Sequence, residues 1–124
     1  MKIIILNSSD EPIYRQIVRQ LEEMILKGRL VAGDALPSIR GLARELHISV
    51  ITTKRAYEEL EREGFIETVP GKGSFVAAQN RELLREKRLD IVEERLIGAI
   101  LAAKSLDISQ DELINLLHQL YEEV

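Results

Sequence analysis

Apolar residues recur along this chain with two periods. Ile13, Ile17, Leu21, Met24 and Ile25 fall three or four apart, which predicts a helix from about Pro12 to Lys27. Pro12 sits in its first turn, where a missing N–H costs nothing, and Gly28 ends it. Ile39, Leu42, Ala43 and Leu46 repeat the helical spacing, with Arg40, Arg44 and Glu45 on the opposite face. Thr53, Ala56, Tyr57 and Leu60 repeat it once more. Pro37 breaks the chain before the first of these two helices and Ser38 is placed to cap it. His47 and Ile48 form a tight turn, Ser49 is a second cap, and Gly64 terminates the second helix. At Phe65 the character changes. Phe65 to Val69 and Ser74 to Ala77 carry the β-branched and aromatic residues of short strands, and Pro70-Gly71-Lys72-Gly73 turns between them. Ile3-Ile4-Ile5-Leu6 is too short for a signal-peptide core or a membrane span and is read as a strand covering the domain edge.

Two helices at a tight turn followed by a hairpin describe a winged helix-turn-helix, the arrangement that places a helix in the DNA major groove. The expected fold is therefore α+β and mainly helical, with residues 1–78 as the winged domain, reading helices over about 38–63 and a wing over about 65–77. Residues 79–124 form a helical tail. One long helix is predicted from about Asn80 to Lys104 and a shorter one from Ser109 to Glu122, opened by the capping box Ser109-Gln110-Asp111-Glu112. Leu89, Val92, Leu96, Ala99 and Ala103 follow a heptad-like seam flanked by Ile97, Ile100 and Leu101, and the last helix adds Leu113, Leu116, Leu117 and Leu120. Two helices cannot bury this much apolar surface on each other. Pairing with a second copy would bury it around a two-fold axis, so Leu89, Val92, Leu96, Ala99, Ile100, Ala103, Leu113, Leu116, Leu117 and Leu120 are the expected dimer interface. The competing arrangement folds the tail back onto its own winged domain; the polar run from Gln79 to Arg88 argues against it.

Composition narrows the picture. A chain of 124 residues can bury one modest core, and with aromatics at 4% and no Trp that core is aliphatic. The absence of cysteine excludes disulfides and thiolate metal sites and fits a reducing cytoplasm. The net charge of −4 is unevenly placed. Residues 1–78 hold 11 basic and 11 acidic side chains, whereas residues 79–124 hold 6 and 10, so the tail carries the whole excess. From Ser38 to Tyr57, Arg40, Arg44, Lys54 and Arg55 stand against Glu45 alone, a local basic face beside the positive end of a helix. Glu58, Glu59, Glu61 and Glu63 lie at the other end of that helix.

The candidate DNA-facing residues are Ser38 and Arg40 on the first reading helix, Ser49, Val50, Ile51, Thr52, Lys54 and Arg55 on the second, and Gly71, Lys72 and Gly73 in the wing. Taken singly, Arg40, Lys54 and Arg55 are ordinary solvated helix charges; the assembled motif gives them their reading. Tyr57 shares a face with Leu60 and reads as a core residue with its hydroxyl at the edge. His47 and His118 are far apart and lack partners at metal-ligand spacing, so no metal is expected. Gly71-Lys72-Gly73-Ser74 is no phosphate loop, because Gly73 stands where Ser or Thr should follow the Lys. No constellation of nucleophile, base and orienting group is in view, which excludes an enzyme reading; no cofactor is expected. The rival class is a winged module used only for protein assembly, for which the Lys54-Arg55 pair is the wrong surface.

The ordered motifs resemble the GntR family of bacterial transcription regulators. They are Leu36-Pro37-Ser38-Ile39-Arg40, Leu42-Ala43, Ser49, Thr52, Ala56-Tyr57-Glu58-Glu59-Leu60, Glu63-Gly64-Phe65-Ile66 and Gly71-Lys72-Gly73-Ser74-Phe75-Val76, preceded by Pro12-Ile13-Tyr14-Arg15-Gln16-Ile17 and Gly33-Asp34-Ala35. The short stretch after Ala78 resembles the YtrA-like subfamily, which implies a two-helix dimerising tail and no substantial ligand-binding domain. The resemblance further implies a homodimeric repressor at a pseudo-palindromic double-stranded operator, acting by steric exclusion of polymerase beside transporter genes, with no effector assigned. Arg40 and Lys54 match the family's motif. Val50 stands where many relatives have Arg, and a Val can still touch a thymine methyl.

Overall fold

In the computed structural model, residues 1–78 and 81–124 are described, and they divide into two compact units, Met1–Leu84 and Arg85–Val124. Gln79 and Asn80, where the polar run and the first tail helix were expected to begin, lie outside the described residues.

The first unit is built on three helices. α1 spans Ile13–Leu26, α2 Ile39–Leu46 and α3 Val50–Arg62. Of the stripe read on α1, Ile17, Leu21 and Ile25 are buried and Ile13 and Met24 half-buried, with Val18 buried beside them; on α2 Leu42 and Ala43 are buried and Ile39 and Leu46 half-buried; and Thr53, Ala56, Tyr57 and Leu60 of α3 are buried, as are Phe65 and Ile66. α3 is the centre, packed against by α1, α2 and the first strand.

The wing follows. β1 (Ile66–Val69) and β2 (Gly73–Val76) pair antiparallel with Ile66 opposite Val76 and Val69 opposite Gly73. β1 starts one residue later than the expected Phe65 to Val69 and β2 lies one residue earlier than the expected Ser74 to Ala77, although the Ala77 N–H still reaches the Phe65 carbonyl at 3.0 Å. Gly73 therefore belongs to β2 rather than to the turn. A third segment joins them that no sequence period announced. Gly33 N–H donates to Val76 O at 2.8 Å, Val76 N–H to Asp34 O at 2.9 Å and Leu36 N–H to Ser74 O at 2.9 Å. The approach to α2 is thereby stitched along β2, and Ala35 bridges Phe75.

The Ile3 to Leu6 segment is not a strand. It lies extended beside α1, whose own backbone groups are consumed within the helix, so side-chain amides take the place of a partner strand. Gln20 accepts from Ile4 N–H at 2.9 Å and donates to Ile4 O at 2.7 Å. Gln16, itself buried, does the same for Leu6 at 2.8 and 3.0 Å. Two glutamines one turn apart thus mimic two rungs of a ladder.

In the second unit α4 runs over Arg81–Ser105, beginning in the first unit, and α5 over Gln110–Glu123. Ser109 and Glu112 form the expected capping box, Ser109 Oγ accepting from Glu112 N–H at 3.2 Å. The hairpin buries little. Among its described residues only Ala103 is buried, while Val92 is 61% exposed, Leu96 46% and Leu117 51%. Leu96, Ile100, Ile108, Leu113, Ile114 and Leu117 line an open apolar groove of about 490 Å³. Of the seam residues, Leu89, Val92, Leu96, Ala99, Ile100, Leu116, Leu117 and Leu120 are exposed and Leu113 is half-buried. Ala103 is buried but lines the same groove, and its carbonyl accepts from Ile108 N–H at 2.8 Å.

Candidate nucleic-acid interface

Each reading helix starts where its serine cap puts it. Ser38 Oγ accepts from Gly41 N–H at 3.0 Å, satisfying one of the orphan donors of α2. A Cβ at Gly41 would stand 2.8 Å from that hydroxyl oxygen, so the glycine lets the cap bond form without the serine side chain shifting. Ser49 Oγ accepts from Thr52 N–H at 3.1 Å and donates to Thr52 Oγ1 at 2.8 Å, leaving the Thr52 hydroxyl proton for another acceptor. Thr53 turns the other way, donating to Ser49 O at 3.1 Å from a fully buried position. Ser49 thus uses its hydroxyl as both acceptor and donor within the helix start, and Ser38 uses its oxygen as an acceptor. Their part at the surface is to fix where helical N–H groups emerge.

Between the helices, His47 adopts φ 56°, the left-handed conformation that usually calls for glycine. Ile48 N–H then closes back on Ala43 O at 3.0 Å, sealing the end of α2 and turning the chain into Ser49. Tyr57 locks the pair from behind. Only 3% exposed, it donates its hydroxyl to Pro37 O at 2.7 Å, tying α3 to the entrance of α2. Burial, helped by nearby Glu45, pushes its pKa up to about 12, so it is a neutral donor in any physiological buffer.

The surface so framed is mixed in chemistry. Arg40, Lys54 and Arg55 are exposed, as is Val50, and Ile51 is 82% exposed, an apolar side chain held out in water on the first turn of α3. Ile51 suits the apolar edge of a base, such as a thymine methyl. The acids of α3 are otherwise engaged. Arg62 donates to Glu59 and holds its carboxyl below the usual range, and Glu61 accepts from Thr68 N–H at 3.3 Å. Glu58 lies 3.9 Å from Lys54 with both side chains well exposed, a pair weak enough for Lys54 to exchange for a phosphate. In the wing, Gly71 at φ 76° makes the turn, exposed Lys72 sits at its tip, and Gly73 at φ 117° opens β2.

One assigned residue is placed unexpectedly. Arg55, though exposed, turns back to α1: its guanidinium lies 3.9 Å above the ring centroid of Tyr14 and donates to Tyr14 Oη at 3.3 Å. Tyr14 was noted in the sequence only as part of a motif. The residues are 41 apart, so no local pattern could have joined them.

Comparison with known proteins now bears on this geometry. The profile described as "Bacterial regulatory proteins, gntR family" matches residues 13–76, more than half of the chain and the whole run from α1 through the wing. The chain belongs to the GntR family. It is 38% identical over 105 residues to the HTH-type transcriptional repressor YtrA of Bacillus subtilis, covering 85% of this chain and 81% of that protein. A GntR family transcriptional regulator from Listeria monocytogenes superposes with a TM-score of 0.76 at 31% identity, over 90% of this chain and 97% of that one. YtrA from Sulfolobus acidocaldarius, a GntR-family transcription factor, does so with a TM-score of 0.57 at 36% identity, over 98% of each chain. This GntR protein is thus a DNA-binding transcription regulator of YtrA-like type and not an enzyme. No helix among its described residues is long and apolar enough to cross a membrane, and no described group of three or more His, Asp or Glu could hold a metal ion.

Proposed function

We propose that this GntR regulator is a homodimeric repressor of a pseudo-palindromic operator, acting in the cytoplasm on genes of a transporter. Each winged domain (residues 1–78) lays the first turn of α3 in the major groove, with Ile51 and Lys54 toward base edges and Val50, Thr52 and Arg55 beside them. Arg40 approaches from α2, and Gly71, Lys72 and Gly73 bring the wing to the neighbouring backbone. Ser38 and Ser49 contribute the helix starts that their hydroxyls define. The tail (residues 79–124) pairs with a second copy, and occupancy of the operator excludes polymerase. The observation that carries the reading is the start of α3: a capped helix on which Ile51, Lys54 and Arg55 are exposed, with Arg40 exposed on α2, while every buried polar side-chain atom among the described residues is satisfied elsewhere.

Arg40→Ala or Lys54→Ala should weaken operator binding by about 1–3 kcal/mol if the side chain reads a base, whereas Lys72→Ala should act evenly across sequences and lower the salt slope by about one. Titration of labelled duplexes at several salt concentrations measures both, with circular dichroism as the control for folding. Folded Arg40→Ala and Lys54→Ala proteins that bind operator like the parent would overturn the assigned face.

A further inference from the structure

Arg55 has a long, flexible side chain and two acids within a turn, Glu58 and Glu59, and its direct contact is with neither, although its charge helps hold the Glu59 carboxyl down. Glu59 is taken by Arg62, and Glu58 lies beside Lys54. The guanidinium instead stacks on Tyr14, from the first turn of α1, at 3.9 Å from the ring centroid. The ring is half-buried and held by a helix that packs directly on α3. Stacking restricts the plane of the cation, one edge donor is spent on Tyr14, and the side chain stays exposed beside the reading turn. Because Arg55 Nη2 donates to Tyr14 Oη at 3.3 Å, the tyrosine oxygen is an acceptor here and its own proton is directed elsewhere.

We propose that Tyr14 is a positioning residue for DNA binding: it holds the Arg55 guanidinium in one orientation on the α1 flank of the reading helix, so that a preset cation, rather than a mobile one, meets a backbone phosphate. An unrestrained arginine loses rotamer freedom when it docks; this one has lost most of it beforehand. The inference rests on Arg55 being a DNA contact, as proposed above, and goes beyond it by assigning the contact's strength to a residue on another helix. It also makes Arg55 a backbone contact, indifferent to base sequence.

The test is a double-mutant cycle in the full chain, using a duplex that the parent selects from a randomised pool and an unrelated duplex of equal length. Tyr14→Leu keeps apolar contact on α1 but removes the ring, and should weaken binding to both duplexes about three- to fivefold. Tyr14→Phe keeps the ring and should stay within about twofold of the parent. In an Arg55→Ala background, Tyr14→Leu should have no further effect. An equal loss with and without Arg55 would show that Tyr14 merely packs α1 on α3 and would overturn the proposal, as would unchanged binding by Tyr14→Leu. If Arg55→Ala binds like the parent while Arg40→Ala and Lys54→Ala are impaired, the reading face stands and the Tyr14 proposal falls. If all three bind like the parent, the face itself is wrong.

Discussion

The turn that joins α2 to α3, Ala43-Arg44-Glu45-Leu46-His47-Ile48-Ser49, is repeated between α4 and α5 as Ala103-Lys104-Ser105-Leu106-Asp107-Ile108-Ser109, with Ala, Leu, Ile and Ser in the same places. The geometry repeats as well. His47 has φ 56° and Asp107 φ 57°; Ile48 and Ile108 each donate back to the alanine carbonyl, at 3.0 and 2.8 Å; and a serine caps each following helix. Their surroundings differ. In the winged unit Leu46 and Ile48 are half-buried and Leu42 is sealed at 1% exposure, because α1 and β1 close over the helix pair. In the second unit Leu106 is 69% exposed and Ile108 37%. Local chemistry makes the turn in both places, but a helix pair has a core only when a third element covers it. The winged unit contains its third layer, and the second unit, by itself, does not.

The largest effect should come from denying the second unit its proposed cover. Leu96→Glu in the full chain would bury two unpaired like charges across the two-fold axis and leave a monomer. Affinity for a two-half-site operator should then fall by about a hundredfold or more, because the second domain no longer binds at the effective concentration that linkage provides, while affinity for a single half-site stays as it was. Truncation after Ala78 should imitate it. Sedimentation at micromolar concentration reads the first step. An intact chain that is monomeric there and still binds the full operator tightly would break the comparison, since α4 and α5 would then need no cover.

The contrast in burial predicts a contrast in stability. Leu60→Ala removes a fully buried side chain from the centre of α3 and should cost about 2–5 kcal/mol in denaturant unfolding. Leu116→Ala, at a position 45% exposed, should change stability by less than about 1 kcal/mol when measured in the monomeric Leu96→Glu background. A loss as large as that of Leu60→Ala would mean that Leu116 already has a packed environment within one chain.

The same division explains what could be read from the sequence. Helices, serine caps, the capping box and the wing turn each depend on residues a few positions apart, and the side chains that specify them stand side by side in the chain, as Ser109 and Glu112 do. The departures all depend on distant meetings. Gly33 to Leu36 is too short to show a period and becomes strand-like only because β2 is there to bond it. Ile3 to Leu6 is an unbroken apolar run that reads as a strand but meets a helix, and Gln16 and Gln20 read as neutral polar positions until that segment lies against them. On the proposed reading face the cations were legible as a cluster, whereas the detour of Arg55 to Tyr14 was not.

A smaller effect separates two tyrosines. Tyr57 is 3% exposed and donates to Pro37 O, whereas Tyr121 on α5 is 81% exposed. Tyr57→Phe should cost about 1–2 kcal/mol, the lost bond plus an orphaned carbonyl, and Tyr121→Phe no more than about 0.5. The pH profile adds a sign. The pKa of Tyr57 is raised in the folded state to about 12, so its neutral form is the one the fold prefers. That contribution is complete below the ordinary tyrosine value near 10 and is lost as pH rises from there toward 12. The parent should therefore lose stability faster than Tyr57→Phe across that window, and parallel profiles would remove Tyr57 from the account.

The smallest effect concerns the repeated turn itself. Both αL positions are occupied by residues with a Cβ, which crowds the following carbonyl in that conformation, so glycine should relieve strain at each. Glycine also gives the unfolded chain more freedom to lose, which offsets part of the gain. Aspartate tolerates αL better than most residues because its short carboxylate can interact with nearby backbone, and it starts from less strain than histidine. His47→Gly should accordingly stabilise the winged unit by about 0.5–1 kcal/mol, and Asp107→Gly should shift the full chain by no more than a few tenths. Denaturant unfolding of the two variants in the monomeric background gives the order directly. Destabilisation by His47→Gly would show that the imidazole makes a contribution outweighing its backbone strain, and the two turns would then be alike in shape but held for different reasons.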